Sequence, residues 1–261
     1  MTWMDTASEL RRARVPAVLV TLASVRGHAP REAGAKMIAT ADDLHGTIGG
    51  GNLEMTAVTR ARELLAEGVR APEMLTLRLN DKAPAKYGRQ CCGGEVTLLL
   101  EPLPVPASVA IFGIGNIGLE LTRILSRHDI DLVVSDSRPE QLEAIDGIGA
   151  PVAQISREFA VVGEEVLTAL PAGSHVLIMT HDHAEDLHLC SAALTRGDLG
   201  SIGLIGSSAK WQRFRKNLTA DGFEPEVVDT IRCPIGLPDL PGKAPATIAV
   251  SVAADLLSRF A

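Results

Sequence analysis

The sequence predicts an α/β protein, with a small N-terminal α+β domain followed by a doubly wound parallel sheet. Three observations point there. Beyond residue 108, apolar β-branched runs alternate with segments of helical period, the pattern of a parallel sheet covered on both faces. The fingerprint Gly113-Ile-Gly115-Asn-Ile-Gly118 lies between the first such run and the first such helix. The stretch Glu101-Pro-Leu-Pro-Val-Pro-Ala107 then separates this half from a first half of different texture, because alternating prolines neither continue a helix nor donate to a central strand. The expected domains are residues 1–103 and 108–261.

In the first half, residues 17–25 (AVLVTLASV) read as a buried strand. Residues 36–39 and 47–48 read as short strands around a turn at Ala41-Asp42-Asp43. Residues 52–66 read as a helix with Leu53, Ala57, Ala61, Leu64 and Leu65 on its buried stripe. Asn52 is expected to cap it, and Glu54 to complement the helix dipole. Residues 73–79 and 95–100 are further strands.

In the second half, strands are expected at 109–112, 132–135, 176–179 and 202–205. Helical segments are expected at 117–127, 140–144, 164–169, 185–195, 208–218 and 246–260. With the fingerprint, this alternation is Rossmann-like.

Composition narrows the function classes. A chain of 261 residues with 46% hydrophobic and 22% charged residues can bury a substantial core. A net charge of −7 and only 3% aromatics argue against a general nucleic-acid binder. No run approaches the roughly 20 apolar residues that span a bilayer, so no membrane association is expected. No signal peptide is visible, and four scattered cysteines (91, 92, 190 and 233) suit reduced thiols rather than a disulfide scaffold. A cytoplasmic protein is expected.

Cys91-Cys92-Gly93-Gly94 is the most informative short stretch. Adjacent thiols cannot both fill one core, since successive strand residues face opposite ways. The glycines let backbone amides approach a bound group, so the loop can offer a soft ligand beside anion-binding amides. The alternative is a tight turn with two incidental cysteines.

Within the fingerprint, Gly113 permits the turn, Gly115 admits a phosphate, and Gly118 lets helix pack on strand. Asp136 closes the next strand, where an acid can accept a ribose hydroxyl. These residues support NAD(P) binding; the alternative is an inherited fold with an empty crevice.

His181-Asp-His183-Ala-Glu-Asp186-Leu-His188 resembles a metal cluster in composition. It is also the loop and first turn of a βα unit, so His181 is the better candidate for lining the crevice. Gly206-Ser207-Ser208-Ala-Lys210 makes a second anion site, with Ser207 and Lys210, or else a simple N-cap.

In the first domain, the loop 26–34 carries Arg31 and Glu32, and Gly49, Gly50 and Gly51 lead into a helix bearing Glu54. Consecutive glycines cost conformational entropy, which implies close approach by a ligand or another backbone. Arg31 or Lys36 can pair with phosphate, and Glu32 or Glu54 can accept from a heterocycle. Surface charges around a tight turn are the plainer reading. The loop holding Cys233 and residues 236–245 reads as structural, with folding over the crevice as the alternative.

Taken in order, these blocks resemble the XdhC/CoxI family of accessory proteins for molybdenum hydroxylases such as xanthine dehydrogenase. The resemblance rests on Gly-His-Ala-Pro-Arg-Glu-Ala-Gly-Ala (27–35), Gly-Thr-Ile-Gly-Gly-Gly-Asn-Leu-Glu (46–54) and Gln-Cys-Cys-Gly-Gly (90–94). The second half adds residues 113–118, Thr180-His181 with Asp186, residues 203–207, 234–238 and 243–251. His28 departs from the serine expected at its position.

The resemblance implies a small domain followed by a Rossmann-like one, and a chaperone without turnover of its own. Such a chaperone would bind the molybdenum cofactor (molybdopterin carrying molybdenum) during sulfuration and pass it to a xanthine dehydrogenase-type enzyme. It also implies a cysteine desulfurase as partner and a homodimer. Cys91 or Cys92 as thiolate would contact molybdenum through the cofactor, provided nearby positive charge, with Arg89 nearest in sequence, lowers the thiol pKa. The phosphate would sit on 113–118 or 49–51, and the pterin edge would meet Glu32, Glu54 or Asp136.

Overall fold

The computed structural model describes residues 2–79, 94–240 and 242–260. The chain divides into two compact units, Met1–Val105 and Pro106–Ala261.

The first unit is built on an antiparallel sheet. Its strands are β1 (Ala17–Arg26), β2 (Lys36–Ala39), β3 (Leu44–Gly46), β4 (Glu73–Arg78) and β5 (Glu95–Leu103), in the order β3-β2-β1-β5-β4. Alternation along β1 decides what each face carries. Val18, Val20 and Leu22 join Leu53, Ala57, Ala61 and Leu64 of α2 (Gly51–Ala66) in one core. Ala17 and Leu19 face the other way, with Ala7 and Leu10 of α1 (Trp3–Arg12) against them.

The sequence gives little warning of α1, whose N-terminus is nonetheless well specified. Thr2 accepts from the Asp5 amide while Asp5 accepts from the Thr2 amide, a reciprocal capping box.

Three expectations need correction. The α2 helix begins at Gly51 behind an N-cap at Gly50, so Asn52 is inside the helix rather than its cap. The cause is Glu54, whose carboxylate gathers the amides of Ile48 and Gly50 and so does the capping from within. Residues 47–48 are not a strand, because the Thr47 hydroxyl and Ile48 amide also turn to Glu54. Part of the proline-rich stretch extends β5, with Pro102 opposite Val18. Past Leu100, β5 pairs with β1 alone, where proline is tolerated.

The second unit has six parallel strands: β6 (Ser108–Phe112), β7 (Asp131–Asp136), β8 (Gln154–Phe159), β9 (His175–Ile178), β10 (Ser201–Leu204) and β11 (Ile231–Arg232). Their order, β11-β10-β9-β6-β7-β8, is the doubly wound arrangement of a Rossmann domain. Neither β8 nor β11 stands out in the sequence: β8 buries none of its six residues, and β11 is only two residues long.

On one face, α3 (Asn116–Leu125) and α9 (Pro245–Leu257) bury Leu121, Leu125, Ala249, Val252 and Leu256 against Val109 and Ile111. The short α4 (Pro139–Glu143) adds Leu142. On the other, α5 (Gly163–Ala169), α6 (His183–Arg196), α7 (Ser208–Ala220) and the short α8 (Pro225–Val228) cover Ala110, Phe112, Val176 and Ile178. Cys190 belongs to this second core. Among the described residues, no helix is long and apolar enough to cross a membrane.

Candidate functional site

In the second unit, β6 and β9 are neighbours whose connections leave in opposite directions, and the crevice above such a switch point is where ligands enter. The fingerprint fills it as its residues require. A Cβ on Gly113, at φ +100°, would lie 2.3 Å from the Met179 carbonyl oxygen. One on Gly118 would lie 2.1 Å from the Gly113 carbonyl oxygen. Gly115 differs: it caps α3 at an ordinary φ of −72°, with nothing within 4 Å of the added atom. Packing explains two of the glycines, and open space lies over the third.

Asp136 is nearly sealed and well supplied with donors. It accepts from the Ile114 amide (2.7 Å), the Arg138 amide (3.0 Å), and Arg138 Nε and Nη2 (2.9 and 3.0 Å). Burial is the largest single influence and pushes its pKa up. The Arg138 guanidinium and the two amides together outweigh it and hold the carboxyl below the usual range. Both oxygens therefore have donors before any ribose arrives.

The ends of β9 and β10 are joined by a buried ion pair. Asp186 is fully buried and accepts from the Thr180 amide (3.0 Å), the Thr180 hydroxyl (2.8 Å) and Lys210 Nζ (2.5 Å). Lys210 also donates to the Ile205 carbonyl (2.9 Å). Its ammonium thus points inward as a strut, while Ser207 caps α7 by accepting from the Lys210 amide. The sequence places Asp186 correctly in a first helical turn, but its partner is a lysine 24 residues on, which no local pattern announces.

His181 is exposed beside Glu185, whose carboxyl is pushed up chiefly by burial, with His181 opposing. The other two histidines turn elsewhere: His183 Nδ1 meets Arg213 Nη2 at 3.1 Å, and His188 Nε2 pairs with Glu164 Oε2 at 2.5 Å. Among the described residues no three metal-type side chains gather. Burial pushes the Cys190 thiol far up and the Cys233 thiol up to about 11, so neither is a ready thiolate at neutral pH.

The first unit gathers a second set. A Cβ on Gly49 would sit 2.7 Å from Pro30 Cβ, and one on Gly94 would sit 2.2 Å from the His28 carbonyl oxygen and 2.8 Å from that of Arg26. The loops 26–34 and 46–51 and the residue after Cys91-Cys92-Gly93 therefore pack together. Glu54 braces them, taking the Thr47 hydroxyl (2.5 Å), the Ile48 amide (3.2 Å) and the Gly50 amide (3.1 Å) on one oxygen.

Beside them lies a cavity of about 400 Å³ lined by Arg31, Lys36, His45, Thr47 and Trp3. Lys36 donates to the Thr21 hydroxyl (2.7 Å) with its ammonium over the Trp3 ring. Among the described residues no carboxylate lines this cavity. Glu32 is exposed on the same loop, and Gly50 and Gly51 face open space. Sequence reading missed Trp3 and His45, which only the pairing of β2 with β3 and the docking of α1 bring to Arg31. Cys91, Cys92 and Gly93, expected as soft ligands and anion-binding backbone, lie outside the described residues.

Known proteins resemble this chain in sequence and in fold. Over 251 residues the chain is 23% identical to the Escherichia coli K12 protein YqeB, an uncharacterized protein. That match takes in 96% of this chain but 45% of YqeB, so the chain spans less than half of that relative. A Bacillus halodurans crystal structure described as a xanthine dehydrogenase is similar in fold, with a TM-score of 0.51 and 21% identity. The match covers 100% of this chain and 96% of that one. Residues 10–78 match the XdhC and CoxI family and residues 109–256 match the XdhC Rossmann domain, and the chain belongs to this family.

Proposed function

We propose that this protein is a maturation factor for a xanthine dehydrogenase-type molybdoenzyme and carries the molybdenum cofactor as cargo. Family membership supports the maturation role. The observation supporting cargo binding is the meeting of loops 26–34 and 46–51 with Gly94, beside a cavity whose ionisable lining residues are Arg31, Lys36 and His45.

The cofactor combines a phosphate, a polar pterin and a sulfur-rich metal centre. Arg31, which lines the cavity, would take the phosphate as a bidentate fork. Glu32 would accept from the pterin edge, since Glu54 is engaged in bracing the turn. Cys91 or Cys92 as thiolate would meet molybdenum, a soft-ligand preference. The carrier performs no turnover of its own. A cysteine desulfurase supplies the terminal sulfur, the carrier works in the reducing cytoplasm, and it acts as a homodimer.

The test is anaerobic purification from a molybdopterin-producing host, followed by native mass spectrometry and quantification of bound molybdopterin. Replacing Cys91 and Cys92 by serine, and separately Arg31→Ala, should each lower retention severalfold while the protein stays folded. Full retention in both variants refutes the site.

A second reading, NAD(P) binding at residues 113–118, is favoured by the open space over Gly115. Against it, the Asp136 oxygens already hold four donors. Calorimetry with NAD and NADP discriminates, since tight binding of either favours the oxidoreductase reading.

A further inference from the structure

We propose that the C-terminal unit holds its own small-molecule site, a pocket for an aromatic anion beneath residues 233–240 and beside Gly242 and Lys243. The site goes beyond the carrier reading and does not rest on it. A cavity of about 710 Å³ opens at the carboxyl ends of β10 and β11, within the size range of pockets that enclose a small organic ligand. Ile205, Ile235, Leu237, Leu240 and Ile248 make its walls predominantly apolar.

Protein interiors normally close such space, because every unfilled apolar wall forfeits dispersion contacts. Here the loop is held away from collapse by separate ties. Gly236, at φ +92°, is so close to α9 that an added Cβ would lie 2.6 Å from Ser251 Oγ. The Leu237 amide donates to that hydroxyl at 2.8 Å. Gly242 packs on Thr247, where an added Cβ would lie 2.7 Å from Cγ2. Ile235 is seated on Gly203 in the same way, also at 2.7 Å. The opposite wall, Gly206 and Ser207, is anchored by the bond from Lys210 to the Ile205 carbonyl.

Charge selects the occupant. Among the described residues, Arg232 and Lys243 line the cavity and no acid does. Arg232 is paired with Asp255 at 2.9 Å, whereas Lys243 has no acidic partner among the described residues. Apolar walls with one available ammonium fit an aromatic ring carrying a single negative group. A neutral chain or a neutral ring would leave Lys243 unused.

The experiment titrates the full-length protein, purified without molybdopterin, with adenosine monophosphate and separately with 1-anilinonaphthalene-8-sulfonate. Saturable one-to-one binding is expected for at least one of them. Lys243→Ala should weaken it about fivefold or more, and Leu240→Arg, at an exposed wall position, tenfold or more. Adenosine should bind more weakly than its monophosphate. Loss of binding on Arg31→Ala would place the probe in the first unit's cavity and overturn the proposal. No saturable binding of either probe overturns the proposal. So does binding that survives both Lys243→Ala and Leu240→Arg, or binding lost on Gly115→Val but not on Leu240→Arg.

Discussion

Lys210→Met is the most direct probe of how the C-terminal crevice is held. The substitution keeps an unbranched side chain one atom shorter and removes its charge, leaving Asp186 with Thr180 alone. Asp186 is fully buried and Lys210 is 10% exposed, so solvent cannot replace the lost partner. Breaking a buried pair by removing one member costs about 3–5 kcal/mol, because an uncompensated charge remains. The Ile205 carbonyl also loses a donor, which places the expected cost toward the upper end.

The two tryptophans allow a clean assay, since Trp211 reports on the second unit and Trp3 on the first. In a Trp3→Phe background, urea unfolding followed by Trp211 fluorescence should shift its midpoint down by roughly 1.5–2.5 M, taking an m-value of about 2 kcal/mol/M. Lys210→Met with Asp186→Leu should recover much of the loss, since a buried pair replaced on both sides is often nearly neutral. A single-variant cost below about 1 kcal/mol, or a double variant no better than the single, refutes the strut.

Gly118→Ala should prevent stable folding or cost more than about 2 kcal/mol, because its Cβ meets backbone that cannot yield. Gly115→Ala should cost less than about 1 kcal/mol, and thermal melts of the pair check the contrast. Glu54→Ala should cost about 1–3 kcal/mol through three orphaned donors and should also lower cargo retention; unchanged amide exchange at Ile48 and Gly50 would contradict it. Asp136 has a folded pKa held below its unfolded value near ~3.9, so its contribution is complete above that value and is lost as pH falls through the folded pKa. Acid unfolding of Asp136→Asn should accordingly show a shallower loss of stability below about pH 4 than the parent, and identical acid limbs would refute it.

The fold was legible where periodicity and glycine chemistry agree. Each strand expected in the second half lies within one residue of its position, since a buried parallel strand is a continuous apolar run. What failed were elements fixed by tertiary context. Residues 154–159 alternate too weakly to announce β8, and Ile231-Arg232 is too short for any pattern. Asn52 has the better capping side chain, yet Glu54 reaches back and moves the helix start to Gly51. The site was legible as residue types but not as partners. Lys210 looked like an anion ligand because nothing local shows its tie to Asp186, and Asp136 looked available because Arg138 follows it only as another charged residue.

The same distinction separates the glycines that packing forces from those it does not. Gly94, Gly113 and Gly118 are forced by backbone atoms within 3 Å of any added side chain, so their presence follows from packing alone. Gly50 and Gly51 meet nothing within 4 Å among the described residues, but at φ +74° and +61° the turn itself accounts for them. Openness alone singles out no ligand surface, since Gly34, Gly68, Gly147, Gly149, Gly173 and Gly222 are equally open. Gly115 is set apart by its place: it has an ordinary φ of −72° and opens α3 above the switch point between β6 and β9. A side chain there meets no neighbour, so Gly115→Val should leave the fold intact, and if cargo is held by the first unit as proposed, cargo retention should be unchanged as well.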